Sequence, residues 1–315
     1  MGYHRVEYRV NKGETVEQLQ TEAGLRGLLA ERGIDYDEVE IFRSWGYTFH
    51  IRQAQRWRDR RVFLAGDAAH IMPPFAGQGV SSGVRDVANL CWKLDAVLNA
   101  DAGEELLDSY ESERRPNVEQ LTTFSLTIGG TVMLGSRLAS HLRDAVFIAA
   151  ARIPLLGAWM TGIGPKPLYR LGTSGGFFAR STSRRRRRSL RGEFIKQPWV
   201  SGADHTPVRL DTVLDNRWAW VGFPESPIPP VLAAAGVADV RLDYATAIAD
   251  HNVAPGHHVD TERILERQFR RNRVHAVLVR PDRFIYVGDR EMTRSGMERV
   301  AAAVVPDLPV AARAS

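Results

Sequence analysis

The sequence predicts a mixed α/β (α+β) fold built from two units. The first observation is a strand, turn, loop and helix pattern from Arg61 to Lys93, RVFLAGDAAHIMPPFAGQGVSSGVRDVANLCWK. The second is the alternation of strand-like and helix-like segments after residue 192. The third is an Arg-rich stretch at 181–191, typical of a linker. With 315 residues, 44% of them hydrophobic, the chain can bury a core in each unit.

The first 60 residues predict strands around one helical segment. Apolar and charged residues alternate in part from Tyr3 to Val10, which predicts a strand. A helix is expected around Val16–Arg32. Residues Glu40–His50 are rich in aromatic and β-branched side chains and predict further strands.

The next segment predicts a strand that ends in an acidic turn. Val62–Ala65 is a short apolar run without alternation, typical of a strand buried on both faces. Gly66 and Asp67 end this run, and an Asp in this place can bind a ligand hydroxyl or cap the next segment. Pro73 and Pro74 then stiffen the loop that follows.

A helix is predicted from about Val80, with its N-terminus at this loop. Gly77 and Gly79 allow the backbone to approach a flat ligand closely. The N–H groups and positive dipole end of the helix would stabilise partial negative charge on that ligand. A purely structural interpretation stays open, since Gly/Pro loops between strands and helices are common. The helical spacing rests on Val84, Val87, Ala88, Cys91, Leu94, Val97 and Leu98.

The string GDAAHIMPPFAGQGVSSGVRDVANLCWKL at 66–94 closely resembles the second FAD motif of single-component flavin aromatic hydroxylases, the branch of the phenol and 3-(3-hydroxyphenyl)propionate hydroxylases. The resemblance implies that Asp67 binds the ribityl chain of FAD and that Pro73 lies beside the isoalloxazine ring. It places the turn at 77–79 against the pyrimidine edge of the flavin. The implied cofactor-binding residues are Gly66, Asp67, Pro73, Gly77, Gln78, Gly79 and Val80.

Other residues near the motif have open or structural interpretations. His70 either stabilises the turn or is catalytic, and Tyr47 and Phe49 either contact substrate or flavin or belong to the core. Four helix residues are expected to tie the helix to its neighbours; these are Arg85, Asp86, Asn89 and Lys93.

The resemblance also implies a domain plan. Residues 1–60 would end the substrate-binding sheet region, and residues 61–180 would form the C-terminal part of the FAD-binding domain with its helices. An Arg-rich linker at 181–191 would lead to a thioredoxin-like domain at 192–315. Strands and helices are predicted to alternate there through four segments, Val208–Leu214, Trp218–Phe223, Val274–Val279 and the strand Phe284–Val287.

The thioredoxin-like resemblance is carried mainly by the string RPDRFIYV. Because this unit contains no cysteine, thiol redox chemistry is excluded, and a packing or dimerisation role is expected.

The implied activity is hydroxylation of an aromatic, phenolic substrate with FAD, NAD(P)H and O2, the protein positioning the substrate and excluding water. FAD enzymes of this type also carry a GxGxxG segment for the ADP pyrophosphate, and no such string occurs in this sequence. We therefore expect a truncated or split enzyme that lacks its N-terminal half. The alternative is a non-catalytic remnant or an oligomerisation partner of such an enzyme.

Composition restricts the cellular compartment and the kinds of site that this chain can have. A single cysteine, Cys91, expected on the buried helix face, excludes a disulfide framework and favours the cytoplasm. Charged residues interrupt Leu121–Gly164, which predicts buried helices and no membrane span. Arg184–Arg188 favours a solvated linker over a nucleic-acid site. No metal-ligand spacing occurs.

Overall fold

The computed structural model describes residues 4–100, 102–154, 156–157, 170–172, 176–178, 190–244 and 253–288. The chain divides into two compact units, Met1–His50 and Ile51–Ser315. The described residues contain eight α-helices and eleven strands, which confirms the mixed α/β class. The predicted linker run Arg184–Arg188 lies outside the described residues.

The first unit is helical where the sequence predicts a helix. Helices α1 (Val16–Leu19) and α2 (Glu22–Ala30) occupy the predicted segment, and Thr15 caps α1. The strand predictions are wrong for residues 4–10 and 40–50, which form no strand. A strand needs a hydrogen-bonded neighbour, and no described segment pairs with either stretch.

The second unit begins with two short antiparallel strand pairs. They are β1 (Arg52–Gln53) with β4 (His70–Ile71) and β2 (Arg58–Asp59) with β3 (Val62–Phe63). The prediction of a strand buried on both faces at 62–65 is wrong. Strand β3 has only two residues, and Val62 is 65% exposed. Its one partner in the described chain is β2, so no sheet covers it.

Three helices follow, α3 (Gly79–Asn99), α4 (Glu105–Val132) and α5 (Arg137–Ala151). Helix α3 starts within one residue of the predicted position. The expected buried face is wrong, because Val84, Val87 and Cys91 are exposed. The side chains that α3 buries are instead Ser82, Asp86, Asn89, Leu90, Lys93 and Ala96. Most of these are polar, and α4 supplies partners for Asp86, Asn89 and Lys93.

Helix α5 departs from the prediction of buried helices between Leu121 and Gly164. None of its residues is buried, and Leu138, Leu142 and Val146 are exposed. Helix α4 does bury part of this stretch, including Leu121. Among the described residues, no helix combines the length and the apolarity that a bilayer crossing requires.

Within the described residues, the C-terminal part of the chain, which we call the C-terminal domain, forms a seven-stranded mixed sheet with three helices. Its strands run in the order β11-β10-β7-β8-β9-β5-β6, with β7–β8 and β8–β9 parallel and the other pairs antiparallel. The strands are β5 (Trp199–Ser201), β6 (Pro207–Arg209), β7 (Ala219–Gly222), β8 (Ala238–Asp243), β9 (His257–Asp260), β10 (Ala276–Val279) and β11 (Ile285–Val287). The helices are α6 (Leu210–Leu214), α7 (Pro230–Ala234) and α8 (Ile264–Asn272).

The predicted alternation of strands and helices holds, with β7, β10 and β11 in the predicted segments and the segment at 208–214 divided between the end of β6 and α6. Alternate residues of the central strands pack into two apolar clusters on opposite faces of the sheet. Val221, Val277 and Ile285 belong to one cluster, and Trp220 and Leu278 belong to the other. This sheet is therefore buried on both faces.

Candidate functional site

The site begins at a 3-10 turn, Gly66–Ala68, which lies against α3. Gly66 has a φ of +59°, a left-handed conformation that favours glycine. A Cβ built on Gly83 of α3 would lie 3.2 Å from the Cα of Gly66. The close approach therefore favours a glycine at position 83, whereas the left-handed backbone favours a glycine at position 66.

A buried polar cluster fixes this turn, and we call Gly66, His70, Asp86 and Arg114 the turn network. The Asp86 carboxylate accepts hydrogen bonds from the Gly66 amide (3.0 Å) and from Arg114 Nε (2.8 Å). His70 Nε2 lies 2.6 Å from the same carboxylate. Burial favours a higher pKa for Asp86, but the hydrogen bond to His70 and the charge of Arg114 outweigh it and lower the pKa below its usual value.

The contacts within the turn network indicate the roles of its side chains, which the sequence left open. His70 is buried, pairs with Asp86 and lies beside the Trp57 ring, with a centroid distance of 5.2 Å. These contacts support the turn-stabilising role of His70. The structural role predicted for Asp86 is confirmed. Arg114 was missed, because an arginine within a helix carries no local signal that it is buried.

The loop after the turn is held on α4 by two small residues. The buried Ser125 hydroxyl donates to the Pro73 carbonyl (2.7 Å) and accepts from the Ala76 amide (3.3 Å). The Phe75 ring fits against Gly129, where an added Cβ would lie only 2.3 Å from a ring carbon. Sequence reasoning missed Ser125 and Gly129; their four-residue spacing on one helix face is the only signal that could have indicated them.

The N-terminus of α3 opens beside this loop. Gly77 ends a 3-10 turn, Pro74–Ala76, in the left-handed conformation, and Gln78 precedes the helix without a side-chain cap. An added Cβ on Gly77 or Gly79 would meet none of the described atoms within 4 Å. The first amide groups of α3 have no carbonyl acceptor within the helix, as at any helix start. A flat acceptor ligand can therefore approach this backbone.

Two further predicted residues lie at this opening. Val80 is 84% exposed. Gln78 donates through Nε2 to the Ala76 carbonyl (2.9 Å), while its Oε1 is buried without a hydrogen-bond partner among the described residues.

The remaining predicted site residues occupy distinct environments. Asp67 is exposed at the turn, whereas Pro73 is buried and tied to α4 through its carbonyl. Tyr47 and Phe49 belong to the first compact unit, where their rings meet edge to face at 4.8 Å. The predicted contact of these two aromatic residues with substrate or flavin stays a prediction. Among the described residues, no group of three or more His, Cys, Asp or Glu could hold a metal ion.

Comparisons with known proteins match both parts of the chain. Residues 2–125 match the FAD binding domain family, and residues 192–303 match the HcaD C-terminal domain family. A 3-(3-hydroxy-phenyl)propionate/3-hydroxycinnamic acid hydroxylase of Klebsiella pneumoniae is 35% identical over 296 residues, which cover 90% of this chain and 52% of that protein. The Burkholderia cenocepacia hydroxylase of the same name is 33% identical over 315 residues, which cover 96% of this chain and 56% of that protein. The chain spans about half the length of these curated relatives.

Solved structures share the fold. The flavin-dependent monooxygenase PieE, solved with FAD and substrate, matches with a TM-score of 0.64 at 22% identity, over 96% of this chain and 56% of that chain. Aklavinone-11 hydroxylase, solved with FAD and aklavinone, matches with a TM-score of 0.62 at 24% identity, over 96% of this chain and 54% of that chain. The sequence matches, in agreement with this shared fold, show that residues 2–125 belong to the FAD binding domain family and residues 192–303 to the HcaD C-terminal domain family, and that the chain is similar to about half of the curated hydroxylases.

Proposed function

We propose that this chain forms the isoalloxazine side of the FAD site in a monooxygenase that hydroxylates a phenolic substrate with NAD(P)H and O2. The observation that carries the proposal is the open, glycine-lined N-terminus of α3. Asp86 and Ser125 hold the two segments beside it on the helices. The names of the curated relatives support a hydroxylated phenyl ring as the substrate class.

The residues present fit this half of the cofactor. The amides of Gly79 and Val80 would donate to the acceptor edge of the flavin ring, and the open space at Gly77 admits a flat group. The exposed Asp67 carboxylate would accept hydrogen bonds from the hydroxyls of the ribityl chain. Gly66 keeps this carboxylate close to α3 by allowing the tight turn.

The chain's own part in the chemistry is electrostatic and steric. FAD, when bound, supplies hydride acceptance and oxygen activation. The positive dipole end of α3 stabilises negative charge at the acceptor edge of the ring. Pro73 offers no N–H donor to water, and its carbonyl already accepts a hydrogen bond from Ser125, so this wall of the site would bind water weakly.

Several assignments belong to this proposal. They are NAD(P)H as electron donor, a homodimer or a separately supplied N-terminal half as partner, a cytoplasmic location, and substrate contact through Tyr47 and Phe49. The domain plan with boundaries at 60, 180 and 191 belongs to it as well. The partner assignment is supported by the absence of a GxGxxG string from the sequence, since another polypeptide segment would then have to hold the ADP moiety.

The proposal is tested by titrating FAD into the purified chain and following flavin fluorescence and visible absorbance. We expect weak but saturable binding, because only one half of the cofactor would be held. Replacing Asp67 with Asn should raise the Kd about tenfold, since a charge-assisted hydrogen bond contributes roughly 1.5 kcal/mol. Asp59→Asn is the matched control, because Asp59 is also exposed but lies on β2. Unsaturable binding, or equal Kd values for the two variants, would contradict the proposal.

A further inference from the structure

A second buried polar cluster joins the C-terminal domain to α3 and α4. It consists of Asn89, Lys93, Glu113, Arg280 and Asp282, and we call it the junction network. Each of these residues is at most 6% exposed. The first two lie on α3 and Glu113 lies on α4, whereas the last two lie between β10 and β11. The network therefore crosses from the flavin-side helices into the C-terminal sheet.

Glu113 is the centre of this network. Its carboxylate accepts two hydrogen bonds from the Arg280 guanidinium (2.9 and 2.8 Å) and one from Lys93 Nζ (2.9 Å). Asn89 Nδ2 donates both to Glu113 (2.8 Å) and to Asp282 (2.9 Å). Burial lowers the pKa of Lys93 to about 8, which leaves it protonated at neutral pH. Two cations thus balance two carboxylates.

Arg280 cannot shift easily within this network. Its guanidinium lies over the Trp92 ring at 5.0 Å and over the Phe178 ring at 4.6 Å. It also donates to the Asp282 carboxylate (2.6 Å) and to the Phe177 carbonyl (2.9 Å). A planar, forked cation is required to satisfy both carboxylates and both ring contacts together.

The junction network lies next to the turn network on the same helix pair. Glu113 and Arg114 are consecutive on α4, and each is fully buried. Asp86 and Asn89 are three residues apart on α3 and therefore share a face. Two sets of buried hydrogen bonds, from Asp282 through Asn89 to Glu113 and from Arg114 through Asp86 to the amide of Gly66, are therefore joined by the backbone of α4. A change in one network leaves a charge unpaired beside the other.

We propose that the C-terminal domain positions the flavin-side turn, with Arg280 as the positioning residue that acts through Glu113 and the α3–α4 pair. This gives the cysteine-free domain a role other than thiol chemistry. The significance of the turn as a flavin site rests on the proposed function. The mechanical connection itself does not, because it can be measured without FAD.

The test is hydrogen exchange of the full chain, read at peptides that cover residues 62–85. Arg280→Met should speed exchange there about tenfold, a coupling of ordinary size between distant sites. Leu242→Ala is the matched control, because it destabilises the same sheet from a fully buried position without touching the junction network. Equal exchange at 62–85 in the two variants, after correction for global stability, would overturn the proposal.

Two further measurements keep the proposal falsifiable if Arg280→Met folds poorly. Arg280→Lys keeps the charge and should restore slow exchange only in part, since an ammonium group cannot bind two carboxylates through a fork. A double-mutant cycle pairs Arg280→Lys with Asp86→Asn in the turn network. Non-additive effects on exchange at 62–85 are expected, and additive effects would overturn the connection.

The FAD titration separates this inference from the proposed function. If the wild-type chain fails to bind FAD but Arg280→Met still loosens residues 62–85, the connection stands and the flavin assignment fails. If FAD binds and the exchange at these residues does not respond to Arg280, the positioning role fails and the flavin assignment stands.

Discussion

The interior of the α3–α4 pair and the interior of the C-terminal sheet are built from different chemistry. Four of the buried side chains of α3 are polar or charged, namely Ser82, Asp86, Asn89 and Lys93. Strands β7, β10 and β11 bury apolar residues on both faces. Apolar burial is non-directional and tolerates small changes of shape, whereas a buried charge needs each of its partners. The helix pair should therefore be the more specific and the more fragile of the two.

The largest effect is expected from Glu113→Gln. The change preserves shape but leaves Lys93 and Arg280 with one carboxylate between them. Breaking a buried ion pair in this way costs about 3–5 kcal/mol of unfolding free energy. Urea unfolding, followed by circular dichroism, measures the loss.

Glu119→Gln provides the control, because Glu119 is exposed on the same helix. This variant should lie within about 0.5 kcal/mol of the wild type. If Glu113→Gln lowered the free energy of unfolding only slightly, the α3–α4 interior would tolerate substitution as well as the sheet does.

The second effect is a loss of stability in acid. Burial favours a higher pKa for Glu113, but Arg280 and Lys93 lower it to about 2, against an ordinary value of 4.5. A carboxyl group whose pKa is lowered in the folded state contributes its full stabilisation at every pH above its pKa in the unfolded chain. That stability is lost as pH falls from about 4.5 towards 2, and the loss is on the order of 3 kcal/mol.

Unfolding free energies measured across this acid range test the assignment. The Glu113→Gln variant should show a flatter profile than the wild type, since glutamine does not titrate. Parallel profiles for the two proteins would contradict the role of Glu113 in acid sensitivity.

The smallest effect is expected in the sheet. Ile285→Val removes one methylene group from a fully buried site and should cost about 1 kcal/mol. The same urea titration measures it, with Val231→Ala at the exposed start of α7 as a control near zero. A cost at Ile285 equal to that at Glu113 would remove the contrast between the two interiors.

Sequence reasoning succeeded where local patterns carry the information. The start of α3 was predicted within one residue, because the Gly77–Gly79 turn precedes a run with helical spacing. Strands β7, β10 and β11 were predicted from β-branched and aromatic runs. The structural role of Asn89 and Lys93 was anticipated, but their partners Glu113 and Arg280 were not.

By itself the sequence determined the flavin motif, the family it indicates, the start of α3 and the central strands of the sheet. Only the tertiary structure decided which side of α3 is buried and what fixes the turn at Gly66. Sequence patterns predict that the polar residues of a helix are exposed. In α3 several polar residues are buried instead, because their charges are paired. Glu113 and Arg280 are 167 residues apart, and no local pattern can join partners that only folding brings together.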